Sequence, residues 1–250
     1  MRGFNVLLKK ELREHIKTHK LLIVLVVFLF LGMGTPLMLN YLPDIVNSGG
    51  GTEIPMPDFT GADAASEFFG SIAQIGMVVV ILVAMGAVAR ERERGTALLT
   101  LSKPVGRDMF IAAKLAVLAV IFGISLILGS AFCYLYICIL FGSIGAASYI
   151  AATALLGLFL LVCISITLLC SSIFKSATAA GGLALAIIVL LWALSAIPNI
   201  GSYAPMGILS WGNNLVFGKG SSAWGSLAIS LGLAVAFGVG AWQALVRKEL

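Results

Sequence analysis

Long apolar runs alternate along the chain with short stretches that hold its charge. Six runs stand out, at 21–39, 69–89, 115–141, 149–174, 177–197 and 224–246, and none contains Asp, Glu, Lys, Arg or His. A helix needs about 20 apolar residues to cross the hydrocarbon core of a bilayer. Each run therefore predicts a membrane-spanning helix, and the chain reads as one all-α polytopic membrane domain over 1–250. Composition points the same way. Hydrophobic residues make up 60% and charged residues 11%, where soluble chains average about 45–50% and about 25%. Mean hydropathy is +1.07. A soluble globular body is excluded.

The basic residues orient the spans. With the N-terminus in the cytoplasm, Arg2, Lys9, Lys10, Arg13, Lys17 and Lys20 precede span one, and Arg90, Arg92, Arg94, Lys103, Arg107 and Lys114 lie between spans two and three. Lys175, Arg247 and Lys248 fall on the same side, leaving Lys219 alone outside. The bias towards basic cytoplasmic loops places both termini inside. It also accounts for the net charge of +5 as topology, with no nucleic-acid partner implied. A cleaved signal peptide fits poorly, because the first apolar run is long and Glu11 and Glu14 sit in the segment before it.

Residues 3–20 predict an amphipathic helix lying on the cytoplasmic interface. At 100° per residue, Phe4, Leu7, Leu8, Leu12 and Ile16 share one arc of about 180°, with the lysines and Arg13 opposite. The apolar arc would face lipid and the basic arc phosphates. Glu11 falls within the apolar arc, where it either snorkels, pairs locally or meets a protein partner. His15 and His19 read as solvated, because no third ligand accompanies them.

Between spans two and three, Arg90-Glu91-Arg92-Glu93-Arg94 alternates in sign and is followed by Gly95 and Thr96. Thr96 can cap a short helix carrying Leu98, Leu99 and Leu101, which Pro104 and Gly106 would end. Asp108 can cap the helix of span three. Exposed leucines at such a place call for a groove to occupy. On the other face, residues 40–68 predict a long acidic loop with Asp44, Glu53, Asp58, Asp63 and Glu67, suited to a gate, a spacer or an extracytoplasmic partner. Residues 198–223 are too apolar for a free loop and too broken for a span, which predicts a re-entrant or interfacial hairpin.

Several chemistries are absent from the sequence pattern. Ion-coupled carriers place carboxylates or histidines in mid-membrane, and the six runs have none. The same lack disfavours a membrane-embedded enzyme, so no catalytic residue is assigned. Gly218-Lys219-Gly220 is a poor match to a phosphate-binding loop, so no ATP site is expected in this chain. The four cysteines lie in apolar runs without metal-ligand spacing, so no metal or cofactor site is assigned.

The basic start at Lys9-Lys10-Glu11-Leu12-Arg13-Glu14, the six-span layout, and the stretch Glu91-Arg92-Glu93-Arg94-Gly95-Thr96 with Leu101, Pro104 and Arg107 resemble the permease subunits of type-2 ABC exporters. That resemblance implies an elbow helix at 3–20 carrying Lys9, Lys10, Glu11, Arg13 and Glu14. It implies a coupling segment at 90–107, in which Arg90, Glu91, Arg92, Glu93, Arg94, Gly95, Thr96, Leu98, Leu99, Leu101, Pro104 and Arg107 meet a separate ABC ATPase. ATP and Mg would then be bound by that ATPase, and two permeases and two ATPases would form the working unit in the cytoplasmic membrane. Outward transport follows from the resemblance, with apolar span walls pointing to a drug, lipid or peptide cargo. The alternatives are an ABC-coupled scaffold or mechanotransmission subunit without cargo, and an ATP-independent six-span channel.

Overall fold

The computed structural model describes residues 2–47, 58–93, 107–195, 197, 203–220 and 222–247. Among these there are helices and no strands. Helix α1 spans Arg2–Lys17 and α2 spans Lys20–Asn47. Helix α3 (Gly61–Ser71) passes through one π-helical turn, Ile72–Gly76, into α4 (Met77–Ala84), and α5 covers Ala89–Glu93. Then follow α6 (Arg107–Leu140), α7 (Ala146–Ile173), α8 (Ala177–Ser195), α9 (Gly207–Val216) and α10 (Trp224–Arg247). Six stretches are long and apolar enough to cross a membrane: Lys20–Asn47, Gly61–Glu93, Met109–Leu140, Ala146–Ile173, Ala177–Ser195 and Trp224–Val246.

Helix α7 is the centre of the bundle. Inside the protein lies 72% of its spanning stretch, against 22% for α8 and for α10, so α7 is ringed by protein and the other two face outwards. Helices α4, α6, α8, α9 and α10 all pack on it. Large apolar side chains such as Phe30 and Ile139 stand fully outside the bundle. That exposure suits a helix bathed in lipid, where apolar surface has no reason to hide.

The closest packing joins α2 to α6. A β-carbon on Gly32 would run into the Gly129 carbonyl oxygen, and one on Gly129 would lie 2.7 Å from the Phe28 carbonyl oxygen. Two backbones meet there with no side chain between them, which is how membrane helices gain contact without a hydrophobic driving force. Phe28 closes the contact edge-on against Phe122, with ring centroids 6.1 Å apart. Helix α1 reaches α2 through a tight turn at His19, whose φ of 56° lies in the left-handed region.

Several expected boundaries move. Helix α2 continues past residue 39 to Asn47, through Pro36 and Pro43, because Tyr41, Leu42, Ile45 and Val46 keep the segment apolar. The acidic loop at 40–68 is thereby shortened from both ends. Asp63 is no loop acid but half of a capping box: Thr60 N–H donates to its carboxylate at 2.8 Å, and Asp63 N–H returns a bond to Thr60 Oγ1. The helix of span three begins close to Asp108, where a cap was expected, and α6 includes Arg107, Asp108 and Lys114 ahead of the apolar run. At 198–223 the described residues show one helix, α9, with Ile208 and Gly212 buried. Trp211 holds α9 to the start of α10 through Trp224, with centroids 5.3 Å apart.

Gly32→Val should lower the thermal midpoint in detergent sharply, since overpacking costs about 1–3 kcal/mol or more. Gly34→Ala, in the same helix but facing open space, should leave it unchanged. Equal midpoints for the two variants would remove the backbone contact from the account of α2–α6 packing.

Candidate functional site

Helix α1 buries Leu7, Glu11 and His15, a stripe spaced four apart that follows the helical repeat. Leu8 and Leu12 flank it, half-buried against the core. The stripe packs on α6 and α2, so this part of the apolar face lies on protein where lipid was expected. Val6 and Ile16, by contrast, are exposed.

Glu11 does not snorkel. Its side chain is 4% exposed, and its Oε2 accepts a hydrogen bond of 3.0 Å from the Lys114 ammonium on α6, itself 3% exposed. The same ammonium donates to Glu91 Oε1 at 2.9 Å. Lys10 adds two longer contacts of 3.5 Å, to Glu11 and to Glu91. Two carboxylates and two ammoniums thus alternate where α1, α5 and α6 meet. Lys114 also lies 4.9 Å from the Phe110 ring centroid, one turn back on its own helix. Burial makes the Lys114 contacts strong, whereas Lys10 is largely in water and its pairs count for little.

The charges shift one another. Burial pushes the Glu11 carboxyl up, but Lys114, by charge and hydrogen bond, and Lys10 outweigh it and hold it below the usual range. Burial lowers Lys10, and Glu91, Glu11 and Glu14 more than offset this to raise it. His15 goes the other way. Burial foremost, then Lys20 and Lys114, take it down to about 4 against the opposing pull of Glu11. Its imidazole is therefore neutral and buried, not solvated, and Nδ1 finds no hydrogen-bond partner among the described residues. Oxygens of Glu11, Glu14 and Glu91 approach within 4.8 Å of one another. The cation between Glu11 and Glu91 is an ammonium, so nothing in this grouping requires a metal.

A second set of bonds ties α5 to α7. The chain leaves α4 through a turn at Met85–Val88, where the regular helical bonds lapse. The Ser171 hydroxyl takes over: it donates to Met85 C=O at 2.8 Å and accepts from Val88 N–H and Ala89 N–H, both at 3.0 Å. A break in a membrane helix persists where a side chain satisfies the freed backbone groups. Arg92 then donates to the Ser172 carbonyl at 2.9 Å, an acceptor at the end of α7.

Of the expected coupling residues, Arg90, Glu91, Arg92 and Glu93 form α5. Glu91 faces Lys114 and Lys10, Arg92 faces α7, and Arg90 and Glu93 are exposed. Arg94, Gly95, Thr96, Leu98, Leu99, Leu101 and Pro104 lie outside the described residues. Arg107 opens α6. On α1, Lys9, Lys10, Arg13 and Glu14 are exposed and Glu11 is buried. Sequence reasoning missed Lys114, Ser171 and the burial of His15. Lys114 did leave a signal: Phe110 and Leu118, four residues to either side, mark it as a base on an apolar stripe, matching the acid on the apolar stripe of α1. The four cysteines are free thiols, and Cys133, Cys163 and Cys170 are buried.

The arrangement ties α5 to α1 and α6 through the ion pairs and to α7 through Ser171 and Arg92. A family model described as ABC-2 family transporter protein matches residues 5–217. The uncharacterized transmembrane protein YxlG of Bacillus subtilis (strain 168) is 30% identical over 211 residues, which cover 82% of this chain and 81% of that protein.

Lys114→Met should cost about 3–5 kcal/mol, because it removes the buried partner of Glu11 and Glu91, while Lys10→Met should cost under about 1 kcal/mol. Thermal unfolding in detergent reads both, and adding Glu11→Gln to Lys114→Met should recover part of the loss. The pH dependence has two windows. Since folded His15 titrates at about 4 and the free imidazole at 6.5, the unfolded chain binds the extra proton first, and stability should fall as pH drops from 6.5 towards 4. Glu11, depressed from its free value of 4.5, contributes stability above that value and should lose it at still lower pH. His15→Leu should flatten the upper window and leave the lower one.

Proposed function

The chain belongs to the ABC-2 family of transporter membrane proteins and is the permease component of an ABC transporter, and on that premise we propose that it moves an apolar or amphiphilic cargo outward across the cytoplasmic membrane. In this reading the ATPase is a separate chain that binds ATP and Mg. The segment at 90–107 docks on it, with Leu98, Leu99 and Leu101 in its groove and Arg90, Glu93 and Arg94 at the rim. The elbow role falls to α1, and both termini face the cytoplasm, in keeping with the basic residues on that side.

One observation carries the coupling mechanism: Lys114 bonds Glu11 and Glu91 at once, at 3.0 and 2.9 Å. A push delivered near Glu91 need not bend a flexible loop. It reaches the elbow helix and span three through buried ion pairs, and the centre of the bundle through Ser171. Closure of the ATPase dimer would supply the push. The working unit would pair this permease with a second copy. Gly182, Gly232 and Gly238 open onto free space on the outward-facing helices α8 and α10, where close helix contact across a dimer would be accommodated.

Purified from its own cells in mild detergent, the chain should bring along an ABC ATPase in equal amount. Leu98→Asp with Leu99→Asp should reduce that ATPase to background. Glu93→Ala should leave folding intact and weaken stimulation of the ATPase by the permease, whereas Glu91→Ala should lower thermal stability first. A chain that purifies alone and conducts in liposomes without ATP would overturn the reading in favour of a channel. An intact assembly that hydrolyses ATP yet moves no cargo would leave the mechanotransmission role.

A further inference from the structure

Two cavities in the membrane-spanning region differ in kind. The larger, of about 500 Å³, lies between α6 and α7. Its tyrosines are already used: Tyr149 donates to the Ser130 carbonyl at 2.9 Å and Tyr134 to the Ile144 carbonyl at 3.3 Å. It offers an occupant only apolar contact, as any lipid-facing groove does. The smaller, of about 230 Å³, lies where the π-helical turn, α7, α8 and α9 converge, and its lining includes Gln74, Asn213 and Ser195 among aromatic side chains.

Three features set this second cavity apart. Gln74 belongs to the π-helical turn Ile72–Gly76, and such turns, which disturb the i→i−4 ladder, gather at functional sites. Gln74 is also exposed within a stretch long and apolar enough to span the membrane, where an amide without a partner is disfavoured. Asn213 Oδ1 is buried and has no hydrogen-bond partner among the described residues. Ser195 spends its proton on the Trp192 carbonyl at 2.6 Å, so its oxygen presents only lone pairs to a neighbour. The cavity thus holds one buried acceptor without a partner, Asn213 Oδ1, beside the Ser195 oxygen and a Gln74 amide that can both donate and accept. Its apolar walls are Phe69, Phe159 and Trp192, and Phe69 is steadied by Tyr149, with ring centroids 5.3 Å apart.

We propose that this cavity is a binding site for an uncharged amphiphile, whose hydroxyl or amide N–H donates to Asn213 and whose apolar body lies against Phe159 and Trp192. Among the described residues no Asp, Glu, Lys, Arg or His lines it. An ionised headgroup would therefore lose its hydration with no counter-charge, and phosphate- and carboxylate-bearing lipids are disfavoured. The volume is below the roughly 300–1,000 Å³ of sites that enclose a drug-sized ligand. It therefore takes one ring or the head of a chain, with the rest lying along the outward face of α8. As a route for cargo the site rests on the exporter reading above; as a binding site it does not.

The test uses the full chain in nanodiscs, without ATPase, and a diazirine-tagged long-chain alcohol activated by light. Peptides from α8 and α9 should carry the label. Asn213→Leu should reduce that labelling about tenfold, the factor expected when a buried acceptor loses its hydrogen bond, and Gln74→Leu should reduce it severalfold. Gln74 is exposed, so its substitution keeps the test valid should Asn213→Leu fail to fold. Thr153→Val, in the α6–α7 groove, should change nothing. The methyl ether of the probe, which lacks a donor, and its carboxylate should label weakly. Equal labelling by all three probes, or by both variants, would reduce the cavity to an ordinary lipid-facing groove. Labelling that disappears as the chain dimerises would show that a second copy fills it, which also overturns the proposal. Since no ATPase is present, neither result bears on the exporter reading.

Discussion

An ammonium taken out of water must be met by carboxylates, and that requirement organises one end of this bundle. Lys114 is buried on α6 in a stripe of Phe110, Val117 and Leu118, where its charge would be intolerable alone. Glu11 and Glu91 meet it from two other helices. The demand runs both ways, because without Lys114 the two carboxylates keep only the longer contacts to the exposed Lys10 among the ion pairs of the junction. Three elements that approach from different parts of the chain are thereby held in one arrangement. Alternative packings of α1 or α5 would separate buried charges, so the junction acts as a rigid body and not as a set of loose contacts.

The rest of the bundle follows the rules of a protein whose solvent is apolar. Helices gain little by hiding apolar surface, so they join where small residues let backbones touch, as at Gly32 and Gly129. Backbone groups freed by a break find side chains, as Met85, Val88 and Ala89 find Ser171. These two devices divide the structure. The α2–α6 contact is tight and continuous, whereas the exit of the second span is a turn held by one hydroxyl. The turn lies beside the charged junction, which places a stiff lever next to a hinge.

Half-way along α7, at the cavity that Phe159 lines, the opposite condition holds. Around Asn213 a buried polar atom is short of a partner, whereas at the junction Lys114 is met by two carboxylates. Helix α7 links the two, with Ser171 near its C-terminal end at the junction side and Phe159 half-way along it at the cavity.

Much of this was legible in the sequence. Six uncharged runs specify six spans because hydrocarbon tolerates little else. The α1 wheel even marked Glu11 as out of place. Its partner was hidden because Glu11 and Lys114 are 103 residues apart, and helical periodicity reports which residues share a face, not which faces meet. For the same reason Lys114 read as a loop base counted for topology, and Asp63 as one acid among five in a long loop. Patterning along one helix is a local property, set by the repeat of the backbone and the solvent around it. The pairing of Lys114 with two helices, the hydroxyl bridge at Ser171 and the acceptors left open around Asn213 depend on how separate helices dock, which only the tertiary structure decides.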